Sequence, residues 1–127
     1  KMLQAAGVEV AIISGRSSRA LELRAANLGV QDLHMGVDNK RQLLGELAAK
    51  RGIALSQCGY MGDDVVDLPI LRASGFSATV ADAHDEVRSR VDYVASKSGG
   101  RGAAREVCDL ILRAHGKWDV AMAEYLS

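Results

Sequence analysis

Short apolar runs alternate with amphipathic stretches along the chain, and this alternation limits the possible folds more than any other feature. Residues 8–13 form a β-branched run bounded by turn residues, a pattern that predicts a buried strand. The same alternation predicts further short strands at 30–35, 57–61, 76–80 and 93–95. Segments of helical period separate them. Strands that alternate with single helices form βαβ units with right-handed crossovers. We therefore predict an α/β fold with a doubly wound parallel sheet flanked by helices.

Helix boundaries are also marked in the sequence. Ser17 or Ser18 can cap a helix that ends at Gly29, and Asn39 can cap another that ends at Gly52. In open parallel sheets, ligands bind beyond the carboxyl ends of the strands. The loops that follow the predicted strands are therefore the places to look for a site.

Composition narrows the class of protein. The chain has 127 residues, with 16 Lys and Arg against 16 Asp and Glu, and 48% of its residues are hydrophobic. This length predicts a single domain over residues 1–127, and the even charge leaves no basic surplus for nucleic acid or a membrane surface. No apolar run approaches the roughly 20 residues of a membrane span. We expect a soluble cytoplasmic protein.

An acidic cluster follows the predicted strand at 57–61. Gly62 precedes Asp63 and Asp64, and Asp67 comes three residues later. Carboxylates this close repel one another, and a hard cation such as Mg²⁺ relieves the repulsion. Alternatively, Asp64 and Asp67 cap the next helix and complement its dipole. Capping explains two of the three carboxylates but not the adjacent pair, so the cluster favours a metal site.

Two further groups predict phosphate binding. Ser14, Gly15 and Arg16 follow the strand at 8–13, where a hydroxyl, backbone N–H groups and a guanidinium come together. Lys40 lies in the first turn of its helix, where the helix dipole opposes a cation unless an anion is near. Taken singly, the Ser14-Gly15-Arg16 group is also typical of an ordinary turn, and Lys40 is also typical of a surface lysine. Arg101 lies in the Gly-rich loop 99–102. Either this loop brings Arg101 close to the site, or it is only a flexible connection between two elements.

These motifs resemble those of the haloacid dehalogenase superfamily of phosphohydrolases. Ser14 matches the superfamily's second motif, Lys40 the third, and the acidic cluster with Asp63, Asp64 and Asp67 the fourth. The resemblance extends over nearly the whole chain and is most specific to the capless sugar-acid phosphatases of the superfamily. It implies a Rossmann-like fold, Mg²⁺ as cofactor, and a homotetramer with the active site at a subunit interface.

The same resemblance implies residue roles. The catalytic residues would be Ser14, Lys40 and Asp64, and the metal site would be formed by Asp63 and Asp67. Substrate contacts would come from five residues: Gly15, Arg16, Arg24, Lys40 and Arg101.

One motif of the superfamily is not found in this sequence. Its nucleophile and general acid/base are two aspartates in an Asp-x-Asp motif at the end of the first strand, and no aspartate precedes Ser14. By the superfamily's order, about fifty to sixty residues that include a central strand would come first, at ordinary element sizes. We therefore expect the domain to be N-terminally incomplete in this sequence.

The implied reaction is Mg²⁺-dependent hydrolysis of a sugar-acid phosphomonoester, with 3-deoxy-D-manno-octulosonate 8-phosphate as substrate in lipopolysaccharide precursor synthesis. Two alternatives stay open. One is a phosphatase of a nine-carbon sugar acid 9-phosphate, and the other is a non-catalytic assembly or regulatory module of the same fold.

Overall fold

The structure is a computed structural model that describes residues 2–5, 7–15, 17–99 and 102–114. Its contacts divide the chain into two compact units. The first unit comprises Lys1–Asp38 and Cys108–Ser127, and the second comprises Asn39–Val107.

A pair of parallel strands organises the first unit. Its elements are α1 (Met2–Ala5), β1 (Ala11–Ile13), α2 (Arg19–Asn27) and β2 (Asp32–His34). The strands pair in parallel, with Ile12 opposite Leu33. Ser18 is the N-cap of α2, and its hydroxyl accepts a hydrogen bond from the Leu21 N–H at 3.3 Å. The expected cap is therefore confirmed.

A three-stranded parallel sheet organises the second unit. The sheet runs in the order β3 (Gly59–Met61), β4 (Phe76–Thr79) and β5 (Tyr93–Val94). Its helices are α3 (Lys40–Lys50), α4 (Leu68–Ala73) and α5 (Asp85–Arg88), with short 3₁₀ turns at Leu55–Gln57 and Val65–Asp67. A further helix, α6 (Ala103–Ala114), begins in this unit. The predicted parallel α/β architecture is confirmed.

Local chemistry accounts for these element ends. Asn39 caps α3, and its side-chain oxygen accepts from the Gln42 N–H at 3.0 Å. Pro69 lies in the first turn of α4, where its missing N–H costs nothing. The core of the second unit centres on the fully buried Ile70, Leu71 and Val87.

The strands are shorter than the apolar runs that predict them. Residues 8–13 are all apolar or β-branched except Glu9, yet only Ala11–Ile13 form β1. The reason is that β2 begins at Asp32, opposite Ala11, so earlier residues have no partner in that ladder. Among the described residues, no helix has both the length and the apolar character needed to cross a bilayer.

Glu106 ties the start of α6 to the end of the sheet. Its carboxylate accepts hydrogen bonds from the Tyr93 hydroxyl at 2.6 Å and from the Ser96 hydroxyl at 2.7 Å. The Ser96 N–H also donates to it, at 2.9 Å. Chiefly because of the Tyr93 bond, the pKa of Glu106 falls to about 2. The charged form is therefore favoured in the folded state.

This contact predicts a pH-dependent contribution to stability. Because the folded pKa of Glu106 is below its ordinary 4.5, its contribution is present above that pH and is lost as the pH falls towards about 2. We expect Tyr93→Phe to lower the melting temperature at neutral pH and to lose most of this deficit in acid. Thermal unfolding, monitored by circular dichroism across this pH range, measures the melting temperature of both proteins and how their difference changes with pH.

The matched control is Glu22→Gln, which removes an exposed ion pair with Arg19. It should leave the pH profile of the wild type unchanged. A deficit in Tyr93→Phe that stays constant with pH would contradict the assignment to Glu106.

Candidate functional site

The acidic loop, residues 62–67, follows β3 in the second unit. Asp63 and Asp64 are exposed, whereas Asp67 is buried with 4% of its surface accessible. Gly62 makes this arrangement possible, because a Cβ at this position would lie 2.8 Å from the Asp67 side chain. Only glycine allows the backbone to pass so close to the buried carboxylate.

The Asp67 carboxylate is the centre of the loop. Oδ1 accepts a hydrogen bond from Lys40 Nζ at 2.7 Å. Oδ2 accepts from the backbone N–H groups of Asp63 and Asp64, at 3.2 Å and 3.3 Å. A buried charge requires partners of this kind, since an unpaired one is costly. Both oxygens of Asp67 are therefore engaged within the protein.

Lys40 is the first residue of α3, where the sequence raised the question of which anion offsets the helix dipole. The structure identifies that anion as Asp67. The Lys40 side chain is 19% exposed, so the ammonium is mostly shielded but still reaches the surface. An ammonium has three N–H donors. With one donated to Asp67 and no other acceptor bonded to Lys40 Nζ in the described part of the chain, two are available to a ligand.

Asp63 and Asp64 make different contacts. Asp64 Oδ1 accepts from the Val65 N–H at 2.7 Å, which is the capping role that the sequence left open as an alternative. The Asp63 carboxylate has no hydrogen-bond or ion-pair partner among residues 2–5, 7–15, 17–99 and 102–114. Its main chain, however, is held: the carbonyl oxygen accepts from the His84 N–H at 3.3 Å.

The exposed carboxylates of the acidic loop fit Mg²⁺ better than a metal that takes all of its ligands from the protein. Within the described ranges, no group of three or more His, Cys, Asp or Glu side chains is arranged to hold an ion. Magnesium characteristically takes one or two carboxylates and completes its shell with water and substrate phosphate oxygens. An exposed, unshared carboxylate at Asp63 is suited to such a role.

Tyr60, on β3, is a site neighbour that sequence reasoning missed. Burial, together with the charges of Asp67 and Asp63, raises the pKa of its hydroxyl well above the usual range. Tyr60 therefore stays protonated and neutral beside the carboxylates. Its place two residues before Gly62 was the only available signal, and strand position alone does not distinguish it from a core tyrosine.

The predicted phosphate loop lies in the first unit, after β1. The Ser14 N–H donates to the His34 carbonyl at 2.8 Å, and the Ser14 carbonyl accepts from the Val37 N–H at 3.0 Å. Its backbone is therefore held on both sides by the segment around β2. Gly15 is exposed.

Three predicted substrate-binding arginines remain. Arg24 is exposed on α2 and lines a shallow groove with Ala20, Leu21, Leu23 and Asn27. Arg16 and Arg101 lie outside the described residues. The structure therefore brings Lys40, Asp63, Asp64 and Asp67 together in the second unit, and places Ser14, Gly15 and Arg24 in the first.

Comparison with known proteins identifies relatives of this chain. Residues 32–107 match the family model of haloacid dehalogenase-like hydrolases. The 3-deoxy-D-manno-octulosonate 8-phosphate phosphatase of Escherichia coli is 46% identical over 117 residues, which cover 92% of this chain and 62% of the relative. The enzyme of that name from Haemophilus influenzae is 44% identical, over 94% of this chain and 67% of the relative.

Solved structures give the same result. The phosphatase of that name from Moraxella catarrhalis, in complex with a magnesium ion, a phosphate ion and 3-deoxy-D-manno-octulosonate (KDO), has a TM-score of 0.93 and 42% identity. The match covers 98% of this chain and 71% of that one. The cobalt-bound Haemophilus influenzae phosphatase has a TM-score of 0.88 and 44% identity, over 94% of this chain and 70% of that one.

The chain spans 62% of the length of the Escherichia coli relative. Identity of 42–46% over more than nine-tenths of the chain, with TM-scores of 0.88 and 0.93, leaves the relationship plain. This chain belongs to the haloacid dehalogenase-like hydrolases.

Proposed function

We propose that the protein is a Mg²⁺-dependent phosphatase that hydrolyses 3-deoxy-D-manno-octulosonate 8-phosphate to the free sugar acid and phosphate, as a step in lipopolysaccharide precursor synthesis. The observation that carries the proposal is the group formed by Lys40, Asp67 and Asp63. There, a shielded cation and an unshared carboxylate are held by one buried aspartate. The names and bound ligands of the relatives support the choice of substrate.

Each residue of the site has a distinct part in this proposal. The two free N–H donors of Lys40 bind oxygens of the transferring phosphoryl group, and the Ser14 hydroxyl binds another. Asp63 supplies the carboxylate ligand of Mg²⁺, which when bound neutralises negative charge on those oxygens. Asp64 orders the loop through its cap on Val65.

For Asp67 the geometry supports a role besides the one that the family resemblance implied. The resemblance placed it in the metal site, and that assignment stays a prediction. Both of its oxygens already accept hydrogen bonds from Lys40, Asp63 and Asp64. We infer that Asp67 acts as a positioning residue that sets the distance between the cation of Lys40 and the carboxylate of Asp63.

The remaining substrate contacts follow from the charge of the substrate. A sugar-acid phosphate carries a carboxylate besides its phosphate, and arginine recognises both groups through paired N–H donors. We assign this role to Arg16, Arg24 and Arg101, with Gly15 offering its backbone N–H to the phosphate. The nucleophile and the general acid/base are expected in the family's Asp-x-Asp motif, which does not occur before Ser14.

The central test is phosphate release by the full-length protein from two substrates assayed side by side. We expect turnover of 3-deoxy-D-manno-octulosonate 8-phosphate to exceed that of a nine-carbon sugar acid 9-phosphate by at least about tenfold, the size of effect that a mismatched pocket produces. Chelation of Mg²⁺ should abolish it. Asp63→Asn should lower turnover by about 100-fold or more, because the amide binds Mg²⁺ poorly.

Asp85→Asn is the matched control, since Asp85 is an exposed carboxylate that pairs with Arg88 on the surface. It should retain wild-type turnover. Preference for the nine-carbon substrate would overturn the substrate assignment, and full activity of Asp63→Asn would overturn the metal assignment. No turnover of any sugar-acid phosphate would favour the non-catalytic module.

The Lys40–Asp67 pair also predicts a stability effect. Lys40→Met leaves the buried Asp67 charge without its cation, so we expect a loss of about 3 kcal/mol in the free energy of unfolding. Asp67→Asn should be similarly costly, and the double variant should lose less than the sum of the two. Urea unfolding of the four proteins measures this coupling.

Lys50→Met is the control on the same helix, because Lys50 is exposed in the last turn of α3. Its loss should be at most about 1 kcal/mol, the size of a helix-dipole contribution. Strictly additive effects of the Lys40 and Asp67 variants would show that the two side chains do not interact in solution.

The proposal extends to a cytoplasmic homotetramer in which a neighbouring subunit covers the site. Two observations support it. Neither Cys58 nor Cys108 is part of a disulfide, as is usual in a reducing compartment. Val65 and Val66, within the acidic loop, are 40% and 69% exposed and offer apolar surface for a subunit contact.

Sedimentation velocity of the full-length protein tests the assembly. We expect a single species with four times the subunit mass, and we expect Val66→Ser to shift it towards smaller species because the contact loses apolar area. Val94→Ser, which changes a valine of 39% exposure in strand β5, is the control. A monomer at micromolar concentration would contradict the proposed tetramer.

A further inference from the structure

His84 lies between β4 and α5 and contacts the acidic loop through its main chain. Its backbone N–H donates to the Asp63 carbonyl at 3.3 Å. The Asp63 N–H, in turn, donates to Asp67 Oδ2 at 3.2 Å. Both backbone groups of Asp63 are therefore held from different directions, while its carboxylate is left exposed.

His84 is itself well anchored. Its Nδ1 accepts from the Glu86 N–H at 3.1 Å, and its carbonyl accepts from the Val87 N–H at 2.9 Å, so it caps α5. Val87 is fully buried and Ala83, next to His84, is 8% exposed. The donor that reaches Asp63 is thus fixed to the core rather than to a free loop.

The segment between β4 and α5 is also tied to the segment after β5. The Ala81 N–H donates to the Lys97 carbonyl at 3.0 Å, and the Gly99 N–H donates to Asp82 Oδ1 at 3.1 Å. This segment therefore bridges the acidic loop on one side and the start of the Gly-rich loop on the other. Such double anchoring keeps the His84 N–H in a single orientation.

We propose that His84 is a positioning residue whose backbone N–H sets the orientation of the Asp63 peptide, and with it the direction of the metal-binding carboxylate. The inference rests on the proposed Mg²⁺ role of Asp63. It assigns the function to the main chain of His84 and not to its imidazole, which caps α5. Groups that orient a metal ligand in this way commonly change metal affinity by about 10- to 100-fold when removed.

Two substitutions at the same position separate the main chain from the side chain. His84→Pro removes the N–H, and the φ of −55° at His84 is compatible with proline. His84→Ala removes the imidazole cap but keeps the N–H, so it is the matched control. Mg²⁺ binding to the full-length protein by titration calorimetry, and Mn²⁺ binding by electron paramagnetic resonance, give readouts that do not depend on activity.

We expect the dissociation constant for Mg²⁺ to rise about tenfold in His84→Pro and to stay within about twofold of wild type in His84→Ala, although both lose the cap. Equal affinities in the two variants would overturn the inference while leaving the proposed function intact. A wild-type protein that binds no Mg²⁺ would overturn both.

A second measurement uses the wild type and does not require His84→Pro to fold. Hydrogen exchange of the peptide that contains the His84 amide should slow about fivefold or more with saturating Mg²⁺, because a bound ion orders the Asp63 peptide that accepts this N–H. Exchange of the Gln42 amide, which is bonded to the Asn39 cap on α3, serves as the internal reference. An unchanged rate at His84 would overturn the inference.

Discussion

The buried carboxylate of Asp67 is the interaction on which the site depends. A charge with 4% exposure is stable only if donors surround it, and Asp67 has three of them. One is the ammonium at the start of α3, and two are backbone N–H groups of the acidic loop. A single side chain thus fixes a helix terminus to a loop, so the cation of Lys40 and the carboxylate of Asp63 are presented together.

The three carboxylates of the acidic loop divide the work between them. Asp67 is buried and holds the backbone of the loop in place, and Asp64 caps the 3₁₀ turn that follows. Asp63 keeps its carboxylate exposed, while its backbone N–H and carbonyl are both hydrogen-bonded. This division resolves the like-charge repulsion in part without a metal, because the hydrogen bonds disperse two of the three charges. The need for a cation is concentrated at Asp63.

Much of the fold follows from local signals. The side chains of Ser18 and Asn39 cap the helices that they were predicted to cap, and every predicted strand contains an observed one. Strand lengths were overestimated because an apolar run reports burial, whereas a ladder also requires a partner, as β1 shows. Tyr60 and His84 were missed as neighbours of the site, since their contacts depend on how the strands and loops assemble.

The sequence by itself determined the order of strands and helices, a cap at Ser17 or Ser18 and another at Asn39, and the grouping of Asp63, Asp64 and Asp67 after a strand. These are properties of neighbours within one turn or one strand, where period and capping chemistry act. Only the tertiary structure decided that Lys40 meets Asp67 across 27 residues of chain, and that the His84 N–H meets the Asp63 carbonyl. The first pairing arises because α3 packs against α4, at whose start Asp67 lies, and the second because parallel pairing of β3 and β4 brings their carboxyl ends to one edge. No local pattern encodes either contact.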